Sequence, residues 1–166
     1  MSSRWDVLMG HARWATLGVI NKDNAHPFDV GPLVGAHNGT IKSADFQHEH
    51  KTDSEVLMEK IASQGFDVLH ELSDQDAWAI SVFYKGQSKV FLGRNSKRDL
   101  WIGYGKHKKV VFWGSELGML FAACNRNGVH LLFEQLEPNN LYEIDYTTIE
   151  PGVNPLNQIL EVSNGK

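Results

Sequence analysis

The sequence predicts an α+β fold: a sandwich of two mostly antiparallel sheets stacked face to face and flanked by helical layers. Three observations carry that expectation. Segments Ala77–Tyr84 (AWAISVFY) and Val110–Trp113 (VVFW) are apolar on both faces rather than alternating, as strands covered on both sides are. The links between successive strand segments, Lys85-Gly86 and Gly105-Lys106 among them, are hairpin-length, which suits antiparallel pairing and not βαβ crossovers. Helix-forming stretches are few, so sheets must supply most of the core. With 166 residues, 42% of them hydrophobic, the chain suits one globular domain with a core of its own. The domain is expected over residues 1–150, with 151–166 as a flexible tail.

The elements follow in order. Trp5–His11 (WDVLMGH) reads as a strand. Residues 12–31, rich in Asn, Asp, Gly and Pro, read as an irregular loop. Leu33–His37 is a short strand that ends at Asn38-Gly39, a pair that tolerates positive φ and suits a tight turn. Residues 42–50 are polar and suit a short helix or loop. Thr52 and Glu55 have capping-box spacing, which predicts a helix over Asp53–Gln64 with Gly65 as its stop. Its buried side is expected at Val56, Leu57, Ile61 and Ala62. A second short helix is expected over Phe66–Leu72.

From Asp76 the pattern changes to strands: Ala77–Tyr84 with Lys89–Arg94, then Leu100–Tyr104 with Val110–Trp113. Ser115 is placed to cap a helix over Glu116–Cys124, which ends near Asn127-Gly128. His130–Leu136 and Leu141–Ile144 are late strands joined through Pro138-Asn139-Asn140. The tail from Pro151 is polar, holds two prolines and is expected to be loose.

Charge and composition exclude several classes of function. The net charge is −4, and the only basic cluster, Lys106, Lys108 and Lys109, reads as a solvated turn, so nucleic acid is not an expected partner. No apolar run approaches the roughly 18 residues that span a bilayer, and MSSRWDVLMG lacks the apolar core of a signal peptide. The single cysteine, Cys124, cannot form an internal disulfide, so a cytoplasmic location is expected. His48-Glu49-His50 lacks converging partners at ligand spacing and reads as a polar loop. Neither a metal nor a cofactor is expected.

The chemistry concentrates between Gly10 and Asp53. Arg13 stands beyond a strand end, where a guanidinium can fork onto a carboxylate, and Thr16 can add a hydroxyl to the same anion. Asp53, at a helix start, can face an ammonium group or simply favour the helix terminus. Asn38-Gly39 can aim a side-chain amide and a backbone N–H at a developing oxyanion, or serve as a turn. Taken together, an anion clamp, an acid and a two-donor corner are the parts needed to hold a free amino acid and polarise its side-chain carbonyl.

Four ordered segments resemble the signatures of class II glutamine amidotransferases, the glutaminase domains of glucosamine-6-phosphate synthase, the purine amidotransferase and asparagine synthetase. They are His11-Ala12-Arg13-Trp14-Ala15-Thr16, Asn24-Ala25-His26-Pro27, His37-Asn38-Gly39 and Thr52-Asp53-Ser54-Glu55-Val56. The resemblance covers residues 7 to about 145 and is nearest to short stand-alone versions carried by bacteriophages, which would place the chain in a host cytoplasm. It implies an αββα sandwich of the N-terminal-nucleophile (Ntn) hydrolase type. It also implies that Arg13 and Thr16 bind the glutamine α-carboxylate and that Asp53 binds the α-amino group. Asn38 (side chain) and Gly39 (N–H) would form the oxyanion hole, and Trp14 would help close the site. His26 and His37 fit the motifs as structural supports. In the family an N-terminal Cys attacks the glutamine amide with its own α-amine as base; ammonia leaves, and water releases glutamate.

The sequence departs from that pattern at the nucleophile. The family's Cys-Gly-Ile strand lies several dozen residues before the His11–Thr16 segment, whereas here ten residues precede His11. The N-terminal strands are therefore expected to be missing. Position 17, often His in the relatives, is Leu17. Cys124 lacks a neighbouring His or Arg in sequence and reads as a packing thiol, and Ser2 would begin the wrong strand. Three readings stay open: a truncated or mis-started amidotransferase, one half of a split enzyme, or a catalytically inactive relative that binds glutamine or a partner protein. A missing strand would leave a sheet edge open to a complementing chain or a second copy.

Overall fold

The computed structural model of the chain describes residues 6–11 and 25–162. Among these are nine strands and two α-helices. Strands β1 (Phe28–Val30), β2 (Leu33–Thr40), β3 (Ala77–Tyr84), β4 (Lys89–Arg94), β8 (Asn140–Asp145) and β9 (Asn157–Glu161) form a six-stranded sheet in the order β1-β2-β3-β4-β8-β9. Strands β5 (Trp101–Gly105), β6 (Val111–Gly114) and β7 (Leu131–Gln135) form a three-stranded sheet in the order β6-β5-β7. All pairings are antiparallel. The expected α+β sandwich of two antiparallel sheets with few helices is the fold found.

The register places two cores on opposite faces of the large sheet. Residues directly opposite one another in an antiparallel pair share a face. Leu33, Trp78, Ile80, Val82, Phe91 and Leu141 point to one side, where they pack with Leu57, Met58 and Ile61 of helix α1 (Asp53–Gln64). Ala79, Val90, Leu92, Tyr142 and Ile144 point to the other and meet Leu100, Ile102 and Leu136 of the three-stranded sheet and its flanks. Strand β3 is buried over Trp78–Val82, which is why its sequence shows no alternation.

Helix α1 has the predicted bounds. Thr52 Oγ1 accepts from Glu55 N–H at 3.2 Å, and Gly65 (φ +80°) follows the last turn. Leu57, Met58 and Ile61 are its fully buried apolar residues, with Val56 and Ala62 partly buried beside them. The helix lies close against β2 because Gly35 has no side chain: a Cβ there would stand 2.4 Å from Met58 Sδ. Phe66–Glu71 is a 3₁₀ helix where a short helix was expected, and another 3₁₀ turn covers Ala44–Phe46.

Several expectations need correction. Of the anticipated strand Trp5–His11, the described residues Asp6–His11 form no ladder. They lie against the sandwich by side chains, Val7 on the inter-sheet core and Met9 Sδ 3.6 Å from Ser81 Oγ. The expected loop 12–31 contains β1, which forms a hairpin with β2 through Gly31-Pro32 and sends Phe28 into the core. Strand β2 runs through Asn38-Gly39 to Thr40 and does not turn there. Helix α2 (Leu117–Arg126) begins at Glu116, without a side-chain cap from Ser115. Strand β6 is not covered on both faces: Phe112 is 38% exposed. Beyond Pro151 the chain returns as β9, and Val162 enters the core beside α1.

Candidate functional site

Asn38 and Gly39 lie near the C-terminal end of β2, opposite Ala79 and Trp78 of β3. The row Asn38–Ala79–Arg94–Asn140 crosses four strands, so Asn38 stands on the face turned toward the three-stranded sheet. The Gly39 backbone is directed by Trp78. Trp78 N–H donates to Asn95 Oδ1 (3.2 Å) and Trp78 O accepts from Asn95 N–H (2.9 Å), so both groups face β4. The Gly39–Trp78 pair is therefore of the non-hydrogen-bonded type, and the Gly39 N–H points away from β3. On that side β1 has already ended, with Phe28 opposite Gly35. Only glycine fits at this point. Its φ is +156°, and a Cβ would lie 1.8 Å from Ala77 O.

Asp53, half-buried in the first turn of α1, is tied to the same strand end. Its Oδ2 accepts from Ile41 N–H at 2.7 Å and its Oδ1 from Ser54 N–H at 2.9 Å. A carboxylate offers about four acceptor sites, so two backbone donors leave capacity for a further cation. His37, on the α1 side of β2, is buried, with Nδ1 2.8 Å from Ser54 Oγ and Nε2 3.3 Å from Ala77 O. Burial pushes its pKa down, against the pull of the neighbouring Asp53 carboxylate. His26 stacks between His11 and Phe28, with ring centroids at 4.3 and 4.6 Å.

Two further anchors lie beside this corner and were not singled out in the sequence. Asp76, fully buried, accepts from Lys42 N–H (2.6 Å), Ser43 N–H (3.1 Å), Ser73 N–H (2.7 Å), Ser73 Oγ (2.9 Å) and Ser43 Oγ. Burial raises its pKa, but the donors outweigh it and hold the carboxyl below the usual range. Asn95, also buried, joins Trp78 to the loop after β4 and donates to Asp76 O at 2.8 Å. These bonds fix where β2 ends and where the next segment leaves. Apart from Ser73, their partners lie 17 to 34 residues away, so no local pattern announces them.

The structure thus brings Asn38, Gly39 and Asp53 to one strand end. Arg13, Trp14 and Thr16 lie outside the described residues, as do Ser2 and Leu17. Cys124 is elsewhere: it is buried on α2, which packs on β6 of the other sheet, and burial raises its thiol pKa. His48 and His50 are exposed, with His50 N–H donating to His48 Nδ1 at 3.1 Å. Among the described residues no three His, Cys, Asp or Glu side chains gather as a metal-ligand set, and no helix is long and apolar enough to cross a membrane.

No protein-family model matches the chain. Individual proteins do. It is 31% identical over 136 residues to the glutamine–fructose-6-phosphate aminotransferase (isomerizing) of Bartonella quintana, covering 71% of this chain and 22% of that protein. It is 32% identical over 126 residues to the Bartonella henselae enzyme of the same name, covering 65% and 20%. The chain is glutamine amidotransferase-like. It spans about a fifth of the length of these curated relatives. In fold it matches the glutamine phosphoribosylpyrophosphate amidotransferase of B. subtilis, solved with ADP and GMP (TM-score 0.62, 20% identity, 93% of this chain and 34% of that one). A structure described as the allosteric regulatory enzyme of purine biosynthesis matches at TM-score 0.66 and 21% identity, over 93% of this chain and 35% of that one. The amidotransferase-like chain therefore shares the fold of these solved structures, two antiparallel sheets with few helices, and its Asn38–Asp53 corner lies at the end of β2.

Proposed function

We propose that this amidotransferase-like chain supplies the glutamine-holding wall of a class II glutaminase site. Arg13 and Thr16 hold the α-carboxylate, Trp14 covers the ligand, and Asp53 takes the α-ammonium with the acceptor capacity its two backbone partners leave free. The Asn38 side-chain amide and the Gly39 N–H receive the negative charge that forms on the amide oxygen as a nucleophile attacks. Ammonia then leaves, and water releases glutamate. The nucleophile is the N-terminal cysteine of the family, carried either by a segment upstream of Met1 or by a complementing chain. Such a chain has a place to add at β6 (VFWG), which pairs on one side only among the described residues and carries neither charge nor proline. By the family resemblance, the setting is the cytoplasm of a phage-infected host.

The observation that carries this reading is the bond from Ile41 N–H to Asp53 Oδ2, 2.7 Å, which holds the helix-borne acid at the strand end bearing Asn38-Gly39. A second reading, a catalytically inactive glutamine-binding or protein-interaction module, draws on the chain's one thiol being buried on α2.

Calorimetry with glutamine tests the site. Arg13→Ala and Asp53→Asn are expected to abolish saturable binding, while His48→Ala leaves it intact; equal loss in all three would refute the assignment. Ammonia release separates the two readings. The 166-residue chain is expected to release none above background, and extension by the in-frame upstream sequence that begins Met-Cys-Gly and restores the Cys strand, with its Met removed, is expected to start turnover. Binding that persists without turnover in the extended chain would favour the inactive module. In the active form, Asn38→Ala should raise the barrier by about 2.7–4 kcal/mol.

A further inference from the structure

A ring of hydrogen bonds closes around Asn38 and Gly39, and the roles assigned above leave half of it unused. His37 is buried, 2% exposed, and reaches in two directions. Its Nε2 lies 3.3 Å from Ala77 O, a carbonyl that can only accept, so Nε2 carries the proton. Its Nδ1, 2.8 Å from Ser54 Oγ, is then the acceptor, and the Ser54 hydroxyl donates. Ser54 N–H donates in turn to Asp53 Oδ1 (2.9 Å), and Asp53 Oδ2 receives Ile41 N–H (2.7 Å). The circuit His37–Ser54–Asp53–Ile41 returns along β2 and encloses Asn38, Gly39 and Thr40. The carbonyl that His37 holds is also the one pressed against Gly39, where a Cβ would lie 1.8 Å from it. The position of Ala77 O therefore limits where the Gly39 backbone can lie.

We propose that His37, as its neutral Nε2–H tautomer, is a positioning residue that locks the Asn38–Gly39 donor pair and the Asp53 carboxylate into one unit through Ala77 and Ser54. Nothing in this role requires His37 to touch a ligand. It works by fixing two groups that come from different elements, a strand and a helix, at one mutual distance. The groups facing it are compatible with a neutral ring. Asp53 of α1 favours the charged form, His11 and Arg98 oppose it, and burial weighs most heavily against it. The inference rests on the glutamine site proposed above for its functional consequence, while the ring itself rests on the bonds just described.

The test uses the 166-residue chain labelled with ¹⁵N. A long-range ¹H–¹⁵N spectrum at pH 7.5 is expected to show His37 with a protonated Nε2 and a bare Nδ1. Ser54→Ala removes the link on the helix side without touching the strand. It is expected to keep the fold, to displace the Gly39 amide resonance and to weaken glutamine binding about tenfold. His37→Gln should produce the same displacement, and the double variant should bind no worse than the weaker single one, because both break the same circuit. A His37 protonated at Nδ1, a Gly39 resonance unmoved by Ser54→Ala, or losses that multiply in the double variant would overturn the proposal. If His37→Gln fails to fold, the tautomer and the Ser54→Ala response still decide it. If the unaltered chain shows the tautomer and the Gly39 response but no glutamine binding, the ring stands and the glutamine reading falls.

Discussion

At Gly39 a backbone carbonyl dictates a residue type. Ala77 O occupies the space a side chain would need, and the φ of +156° suits glycine alone. Gly39→Ala must therefore push β2 off β3 or break the pairing at Trp78, and an expected loss of about 3 kcal/mol or more, read by urea unfolding, tests this. Asp76 is a comparable case with polar partners. Five donors converge on one buried carboxylate, and Asp76→Asn would turn an amide against two or more of them. The expected cost is again about 3 kcal/mol, since hydrogen bonds to a charged group are among the stronger ones. The two residues differed in legibility. Gly39 stood out because it follows Asn38 inside a family-like segment, though a turn was the simpler structural expectation. Asp76 carried no signal, because its donors come from Ser73 nearby and from Lys42 and Ser43, more than thirty residues away.

The element whose caps are written in its own residues, helix α1, was read correctly from the sequence. Helix α1 has a Thr at its N-cap, an acid in its first turn and a Gly at its end, and its bounds were legible to the residue. Thr52→Ala is expected to cost about 1 kcal/mol in urea unfolding and to weaken any ligand held by Asp53, which sits one residue on. Strands β1 and β9 were missed for a physical reason. Three- and five-residue edge strands take their conformation from the strand they pair with, not from a hydrophobic pattern. Helix α2 is more apolar than its burial requires. Met119 and Phe121 are 66% and 57% exposed, so Phe121→Ser should change stability by no more than about 0.5 kcal/mol in the isolated chain.

Over the whole molecule, the two-sheet class followed from turn lengths and from unbroken apolar runs, but the division into six strands and three did not. That division depends on which strand end meets which, and the decisive links, such as Asn95 to Trp78, are long-range. The same long-range polar links give the fold a definite response to acid. His37 has its pKa lowered from 6.5, mainly by burial, so between its folded value and 6.5 the unfolded chain binds more protons than the folded one. Its contribution is complete above about pH 6.5 and declines as pH falls through the folded value. Asp76, lowered from 3.8 by its donors in spite of burial, follows the same sign in a lower window: complete above 3.8 and lost as pH falls through its folded value. Urea midpoints should therefore begin to fall as pH drops below about 6.5, with the Asp76 contribution added below 3.8. In His37→Gln the fall that sets in below 6.5 should shrink, and in Asp76→Asn the part added below 3.8 should be lost. A pH profile between 6.5 and 3.8 unchanged by His37→Gln would mean that the buried imidazole does not stay neutral in the fold.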